Sequence, residues 1–163
     1  MEIYLLRHGI AEPVQPGRPD ADRALTPEGK RKLREVLRVA KTSGVKPTLI
    51  LTSPYRRALE TAEVAGRVLG YRGELLRTKA LAPGSSVKDV WEEIRIHKNE
   101  GQLLLSGHEP QFGQLFSYLL ASPSLQVDFK KGALARIDVE QYGSEPRGIL
   151  RWMMPSKLAA AAD

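Results

Sequence analysis

The sequence predicts an α/β fold, a three-layer sandwich in which helices flank a mostly parallel central sheet, with a hairpin near the carboxyl end. Three observations carry that prediction. Short apolar runs at residues 3–6, 49–51 and 103–105 read as strands buried on both faces, the kind found in parallel sheets. Amphipathic stretches at helical spacing lie between them. Farther on, Ala135, Ile137 and Val139 alternate with Arg136, Asp138 and Glu140, the two-residue period of a half-exposed strand. Strands alternating with helices, then a hairpin, give the layered architecture.

The first strand runs straight into Arg7-His8-Gly9. Residues 12–24 are rich in Pro, Gly and Asp and form a loop. A helix follows, with Thr26 as N-cap, Pro27 at its first position and Glu28 at the positive end of its dipole. Leu33, Val36, Leu37 and Ala40 form its buried stripe, and Gly44 ends it. Residues 48–52 make the second strand. A second helix is expected to begin at once, with Ser53 as N-cap and Pro54 at the first position. Its core stripe is Ala58, Ala62, Ala65 and Leu69, closed by Gly70. Residues 74–76 suggest a short strand. Ser85 or Ser86 caps a third helix carrying Val87, Val90, Trp91 and Ile94. Residues 102–106 are the next strand, residues 112–120 a fourth helix, and residues 149–153 the return arm of the hairpin. The Ala-rich end after Pro155 reads as a frayed helix or a disordered tail.

With 163 residues, the chain suits one domain with a single substantial core. The expectation is one domain over residues 1–155 and a tail over 156–163. Hydrophobic content of 42% and charged content of 27% argue against wholesale disorder. The absence of Cys excludes disulfides and thiolate metal sites. Three histidines, His8, His97 and His108, are few for a dedicated metal centre, so no metal and no cofactor are expected. There is no secretory leader pattern and no apolar run approaching the ~20 residues of a membrane span. A cytoplasmic protein without membrane association is the expectation. The net charge of +6 favours anionic partners: phosphorylated protein, phosphate esters or nucleic acid. No basic-aromatic recognition motif accompanies that charge, so nucleic acid is not an expected partner.

Three of the strands end in chemically useful residues: Arg7-His8-Gly9, then Ser53-Pro54-Tyr55-Arg56-Arg57, then Ser106-Gly107-His108-Glu109. In a parallel sheet such ends share one edge, where open α/β folds bind ligands. An Arg beside a His can neutralise an anion while offering an imidazole as nucleophile or acid/base. Cations in the first helical turn face the positive end of the dipole, an unfavourable placement of about 0.3–1 kcal/mol each that a bound anion would reverse. Arg56 has a partner four residues on in Glu60, whereas Arg57 shares its side with Thr61, Val64 and Val68. Arg57 is therefore the inward anion ligand and Arg56 a surface residue. His97, among Glu92, Glu93, Arg95 and Lys98, reads as a surface residue too.

Leu5-Leu6-Arg7-His8-Gly9, Ser53-Pro54 with Arg57-Ala58 and Thr61-Ala62, and Ser106-Gly107-His108-Glu109-Pro110 together resemble the histidine phosphatase superfamily. The form Arg-His-Gly-Ile-Ala, the stretch from Asp22 to Gly29, the short length and the final hairpin are similar to its SixA-type phosphohistidine phosphatase branch. The resemblance spans essentially the whole chain and implies a phosphoglycerate mutase-like fold. It further implies that His8 attacks phosphorus and carries a transient phosphohistidine. Arg7, Arg57 and His108, with Arg23 as a further candidate, would surround the phosphoryl oxygens, and water would then hydrolyse the intermediate. One departure stands out. Many larger members carry a carboxylate general acid between the second and third blocks, and the candidate place here, residues 80–86, contains none. Glu109, Glu12, Asp20 and Asp22 remain candidates for that role. A labile phosphoramidate leans less on a placed acid than an ester does.

The leading expectation is a metal-independent phosphatase acting on phosphohistidine in a protein partner, such as the phosphotransfer domain of a signalling relay. The alternatives are a broad phosphomonoesterase acting on small phosphate esters, and a phosphate-dependent binding module without turnover. A phosphoglycerate-type mutase fits less well, given the short chain and the missing acid.

Overall fold

In a computed structural model residues 1–161 are described; the last two residues of the expected tail lie outside them. Among the described residues there are six strands: β1 (Glu2–Arg7), β2 (Leu49–Thr52), β3 (Leu75–Arg77), β4 (Gln102–Gly107), β5 (Leu134–Val139) and β6 (Gly148–Met154). They form one sheet in the order β3-β2-β4-β1-β5-β6. The first four in that order run parallel, while β5 is antiparallel to β1 and forms the terminal hairpin with β6. The mostly parallel sheet with its carboxyl-terminal hairpin is the predicted one.

Alternation along the strands divides the core into two layers. Tyr4, Leu6, Ile50 and Leu104 face α1 (Pro27–Thr42) and α2 (Arg56–Leu69), while Ile3, Leu5, Leu51, Leu103 and Leu105 face α3 (Val87–Ile96) and α4 (Gln111–Leu119). The predicted stripes are the buried ones: Leu33, Val36, Leu37 and Ala40 on α1, and Ala58, Ala62, Ala65 and Leu69 on α2. On α3, Val90, Trp91 and Ile94 are buried, and Val87 packs at the margin. A last short helix, α5 (Ser156–Ala159), lays Ala159 against the α1 layer.

Helix ends follow local chemistry, with one correction. Thr26 Oγ1 accepts from Gly29 N at 3.0 Å, a cap worth about 1 kcal/mol. Ser86 and Asp89 form a reciprocal capping box at the start of α3. Ser53, however, does not cap α2. That helix begins at Arg56 with Tyr55 as N-cap, and Ser53 Oγ instead accepts from Tyr55 N at 3.2 Å and contacts a histidine ring. The helix starts later than Ser53, whose hydroxyl joins the Tyr55 amide to that ring.

Two glycines let the loop after β1 approach α1. A Cβ on Gly29 would stand 2.3 Å from Ile10 O, and one on Gly9 would stand 2.8 Å from Leu33 Cδ1. The loop beyond is pinched at its base by a bridge between Ala11 and Leu25 and by Glu12 N donating to Ala24 O at 2.8 Å. Within it, residues 20–22 make a 3-10 turn.

Candidate active site

The central strand β4 lies between β2 and β1, so the three chemically useful strand ends are neighbours. Register places them in line: Arg7 stands beside Gly107 and Thr52 beside Ser106. Backbone pairing continues one residue further, with His8 N donating to Gly107 O and Ser53 N to Ser106 O, both at 3.0 Å. Helices α1 and α2 leave on one face and α3 and α4 on the other. The site thus sits at the carboxyl edge where the winding reverses.

His8 is 6% exposed. Its Nδ1 lies 2.8 Å from Gly9 O, and because a carbonyl only accepts, Nδ1 carries the hydrogen. Nε2 then bears the lone pair, and Arg57 Nε donates to it at 3.4 Å. Arg57 is itself 5% exposed. Its Nη1 donates to Asp20 O at 3.0 Å and its Nη2 to Asp20 Oδ2 at 3.1 Å. Its Cζ lies 5.1 Å from the centre of the Tyr55 ring. Thr61 fixes this corner by donating to Arg57 O at 2.7 Å while accepting from Gly9 N at 3.2 Å.

Arg7 Nη1 donates to Phe129 O at 2.7 Å, and its buried Nε has no protein partner. His108, 2% exposed, lies with its ring centre 5.2 Å from that of His8. Its Nε2 is 2.8 Å from Ser53 Oγ, and its buried Nδ1 is unpartnered. Tyr55 meets the same ring edge-on, 5.4 Å between centres.

The other sequence-derived candidates sit farther out. Arg23 is engaged by its own loop, with Nε on Asp20 Oδ1 at 2.7 Å and Nη1 on Glu12 O at 2.8 Å. Glu12 Oε2 pairs with Arg18 at 3.3 Å. Asp22 lies exposed on the 3-10 turn. Glu109 directly follows His108 and keeps one buried carboxylate oxygen unpartnered. Residues 80–86, which lack a carboxylate, are tied down by Gln111 Nε2 donating to Ala80 O at 2.9 Å and to Ser85 O at 3.0 Å. His97, at the end of α3, faces Glu93 at 3.4 Å, away from this cluster.

Electrostatics follow from burial among cations. Burial pushes the His8 pKa down to about 4; the Gly9 carbonyl opposes this, and the charges of Arg57, Arg7 and Lys131 add to it. His108 goes down to about 3, mainly by burial and then by His8, Arg57 and Arg7, against Asp20. Burial also lowers the Arg7 and Arg57 pKa values, opposed chiefly by Glu109 and by Asp20 respectively. Both arginines remain cations at neutral pH. Burial raises Glu109, against a hydrogen bond from Gly113 N–H and the charge of Arg7. The result is two neutral imidazoles, the buried Arg57 and the half-buried Arg7, an arrangement suited to a tetrahedral dianion.

A pH dependence of stability follows. Unfolded histidines titrate near 6.5, whereas folded His8 and His108 resist protonation down to about 4 and about 3. Stability is therefore full above pH 6.5 and falls as the pH drops through that window, because the unfolded chain binds the protons. Each histidine contributes a slope of about 1.4 kcal/mol per pH unit. The melting temperature of the His8→Asn variant is expected to fall less than that of the parent between pH 6.5 and 4.5.

From sequence, Ser53 and Tyr55 fall in the second strand-end block, Ser53 as a helix cap and Tyr55 with no role of its own, while Lys131 and the Phe129 carbonyl are not singled out. Tyr55 lies inside the recognisable second block, so its neighbours were a signal. Phe129 and Lys131 lie in an aperiodic segment, where nothing but the basic pair Lys130-Lys131 before a glycine marked a strand entry.

Comparison with known proteins points to one family. Residues 3–82 match the histidine phosphatase superfamily (branch 1) model. An uncharacterised Picosynechococcus protein is 35% identical over 117 residues, 70% of each chain. Phosphohistidine phosphatase SixA of Escherichia coli is 27% identical over 156 residues, 94% of this chain and 93% of that protein. The solved structure of the protein histidine phosphatase SixA with tungstate superimposes with a TM-score of 0.87 at 25% identity, covering 97% of this chain and 99% of that one. With its Arg-His-Gly strand end, its second histidine and its sheet order all in place, this chain belongs to the histidine phosphatase superfamily, in its SixA-like branch.

Proposed function

We propose that this phosphatase removes phosphate from phosphohistidine on a protein partner, without a metal, through a covalent intermediate on His8. The observation that carries the proposal is the His8 ring: neutral, fixed by Nδ1–H on Gly9 O, with Nε2 presented to Arg57. Nε2 attacks phosphorus, and the bond from phosphorus to the substrate imidazole breaks. The departing ring keeps the electron pair and takes a proton from solvent, which the attacking water of the second step returns. Water then attacks phosphorus on His8, releasing inorganic phosphate and restoring the neutral ring. Arg7 and Arg57 hold the equatorial oxygens and supply positive charge. If Ser53 donates its hydroxyl hydrogen to His108 Nε2, the inward His108 Nδ1 carries a hydrogen and serves as a neutral donor.

The substrate class rests on two supports. The chain is similar to a phosphohistidine phosphatase over nearly its full length, and residues 80–86 offer no acid for an alkoxide leaving group. An imidazole leaves more readily, so the missing acid costs it less. Glu109 favours a second reading, a small-ester phosphatase, because burial raises its pKa beside the site. The test measures phosphate release, with EDTA present, from a histidine-phosphorylated phosphotransfer domain, a phosphoserine protein and a nitrophenyl phosphate. Release at least about 10²-fold faster from the phosphohistidine protein is expected. Release chiefly from the ester would replace this reading with the second one.

A further inference from the structure

We propose that Asp20 is a positioning residue for this reaction, clamping one edge of Arg57 so that the other edge faces phosphorus at His8 Nε2. The inference rests on the function proposed above. A guanidinium presents two bidentate edges, one end-on through both Nη atoms and one side-on through Nε and Nη2. Asp20 takes the end-on edge twice, by its backbone oxygen from Nη1 and by Oδ2 from Nη2. The side-on edge is left toward His8, where Arg57 Nε reaches Nε2 at 3.4 Å. Phosphorus bonded to Nε2 would put its oxygens against that edge.

Asp20 is in turn held by its own loop. Arg23 grips Oδ1 through both Nε and Nη2 at 2.7 Å, and Arg23 Nη1 is anchored on Glu12 O. The Ala11–Leu25 bridge closes the loop base. A mostly exposed loop thus delivers one carboxylate and one carbonyl to a buried cation. Arg23 then acts through Asp20 rather than on the phosphoryl group itself.

Two other roles fit less well. As a general acid, Asp20 would need a proton, yet each of its carboxylate oxygens accepts from a guanidinium, which keeps it ionised. As an inhibitory plug, it would have to cover the edge that faces His8, and it covers the end-on one.

The test compares Asp20→Ala and Asp20→Asn with the parent, in the Arg57 and Arg57→Ala backgrounds. Asp20→Ala is expected to lower kcat on the phosphohistidine protein by about 10–10²-fold with an unchanged pH profile, and Asp20→Asn to recover part of that loss. In the Arg57→Ala background, Asp20→Ala should add no more than about a twofold effect, since residues acting through one another are non-additive. An equal loss in both backgrounds, an unchanged rate or a faster rate would each overturn the proposal, the last in favour of a plug. Affinity for inorganic phosphate, read by calorimetry, separates this idea from the proposed activity. A roughly tenfold weaker phosphate affinity in Asp20→Ala supports the clamp, even if the parent proves idle on phosphohistidine. Unchanged phosphate affinity overturns the clamp.

Discussion

His8→Ala is expected to lower phosphate release by about 10³-fold or more while the chain still folds, because under the proposed mechanism it removes the nucleophile and leaves the groups proposed to bind phosphate in place. Arg7 donates to Phe129 O, Arg57 donates to Asp20 through both Nη atoms as well as to His8, and His108 Nε2 pairs with Ser53 Oγ. Only the long Arg57 Nε contact involves His8, and the anchors on Phe129, Asp20 and Ser53 do not, so the variant should still bind phosphate. Turnover and binding are thereby separated. A second readout is chemical. Brief reaction with radiolabelled phosphoprotein should leave an acid-labile, alkali-stable label on the parent and none on the variant, the behaviour of a phosphorus–nitrogen bond. The variant should also show the flatter acid limb expected for His8→Asn, since either change removes a buried imidazole that resists protonation. A His8→Ala chain that released phosphate at the parent rate would place the nucleophile elsewhere. A chain that lost its melting transition would instead make His8 a structural residue.

The strands and helices that build this site were legible because their signals are local. Buried strands announce themselves as apolar runs, and Thr26-Pro27-Glu28 and Ser86 mark helix starts by hydrogen-bonding chemistry that needs no distant partner. Arg57 could be turned inward from sequence because helical spacing sets it beside Thr61 and Val64, which are buried with it. Ser53 failed for the opposite reason. Its local preference was to cap α2, but its hydroxyl pairs with a histidine 55 residues away, and no window of sequence contains that contact. The Asp20 contact with Arg57 spans 37 residues and begins in a loop with no periodicity. Arg7 finds Phe129 O across 122 residues, by way of a ring packed edge-on against Phe116. Side chains whose partners come from aperiodic segments are fixed by the tertiary fold, and their roles appear only in three dimensions.

Arg57 should show the sharpest separation of activity from stability. Arg57→Ala is expected to lower kcat by about 10²–10³-fold, the usual loss when one aimed donor is removed from a developing anion. Arg57→Lys should recover little of that. A lysine supplies the charge but neither the end-on pair to Asp20 nor the side-on edge toward His8. Stabilisation by added phosphate, read as a shift in melting temperature, should shrink in both variants, because that shift follows affinity. The unliganded fold should change by no more than about 1 kcal/mol. Arg57 is a desolvated cation in the first turn of α2, an unfavourable position relative to the helix dipole. Its partner Asp20 is 48% exposed and keeps Arg23 when Arg57 is gone, so no buried charge is stranded. A residue that is costly to bury and easy to lose is held in place by its use. If Arg57→Lys turned over at the parent rate, a point charge at the strand end would suffice, and the fork geometry on which Asp20 acts would have no part in the reaction.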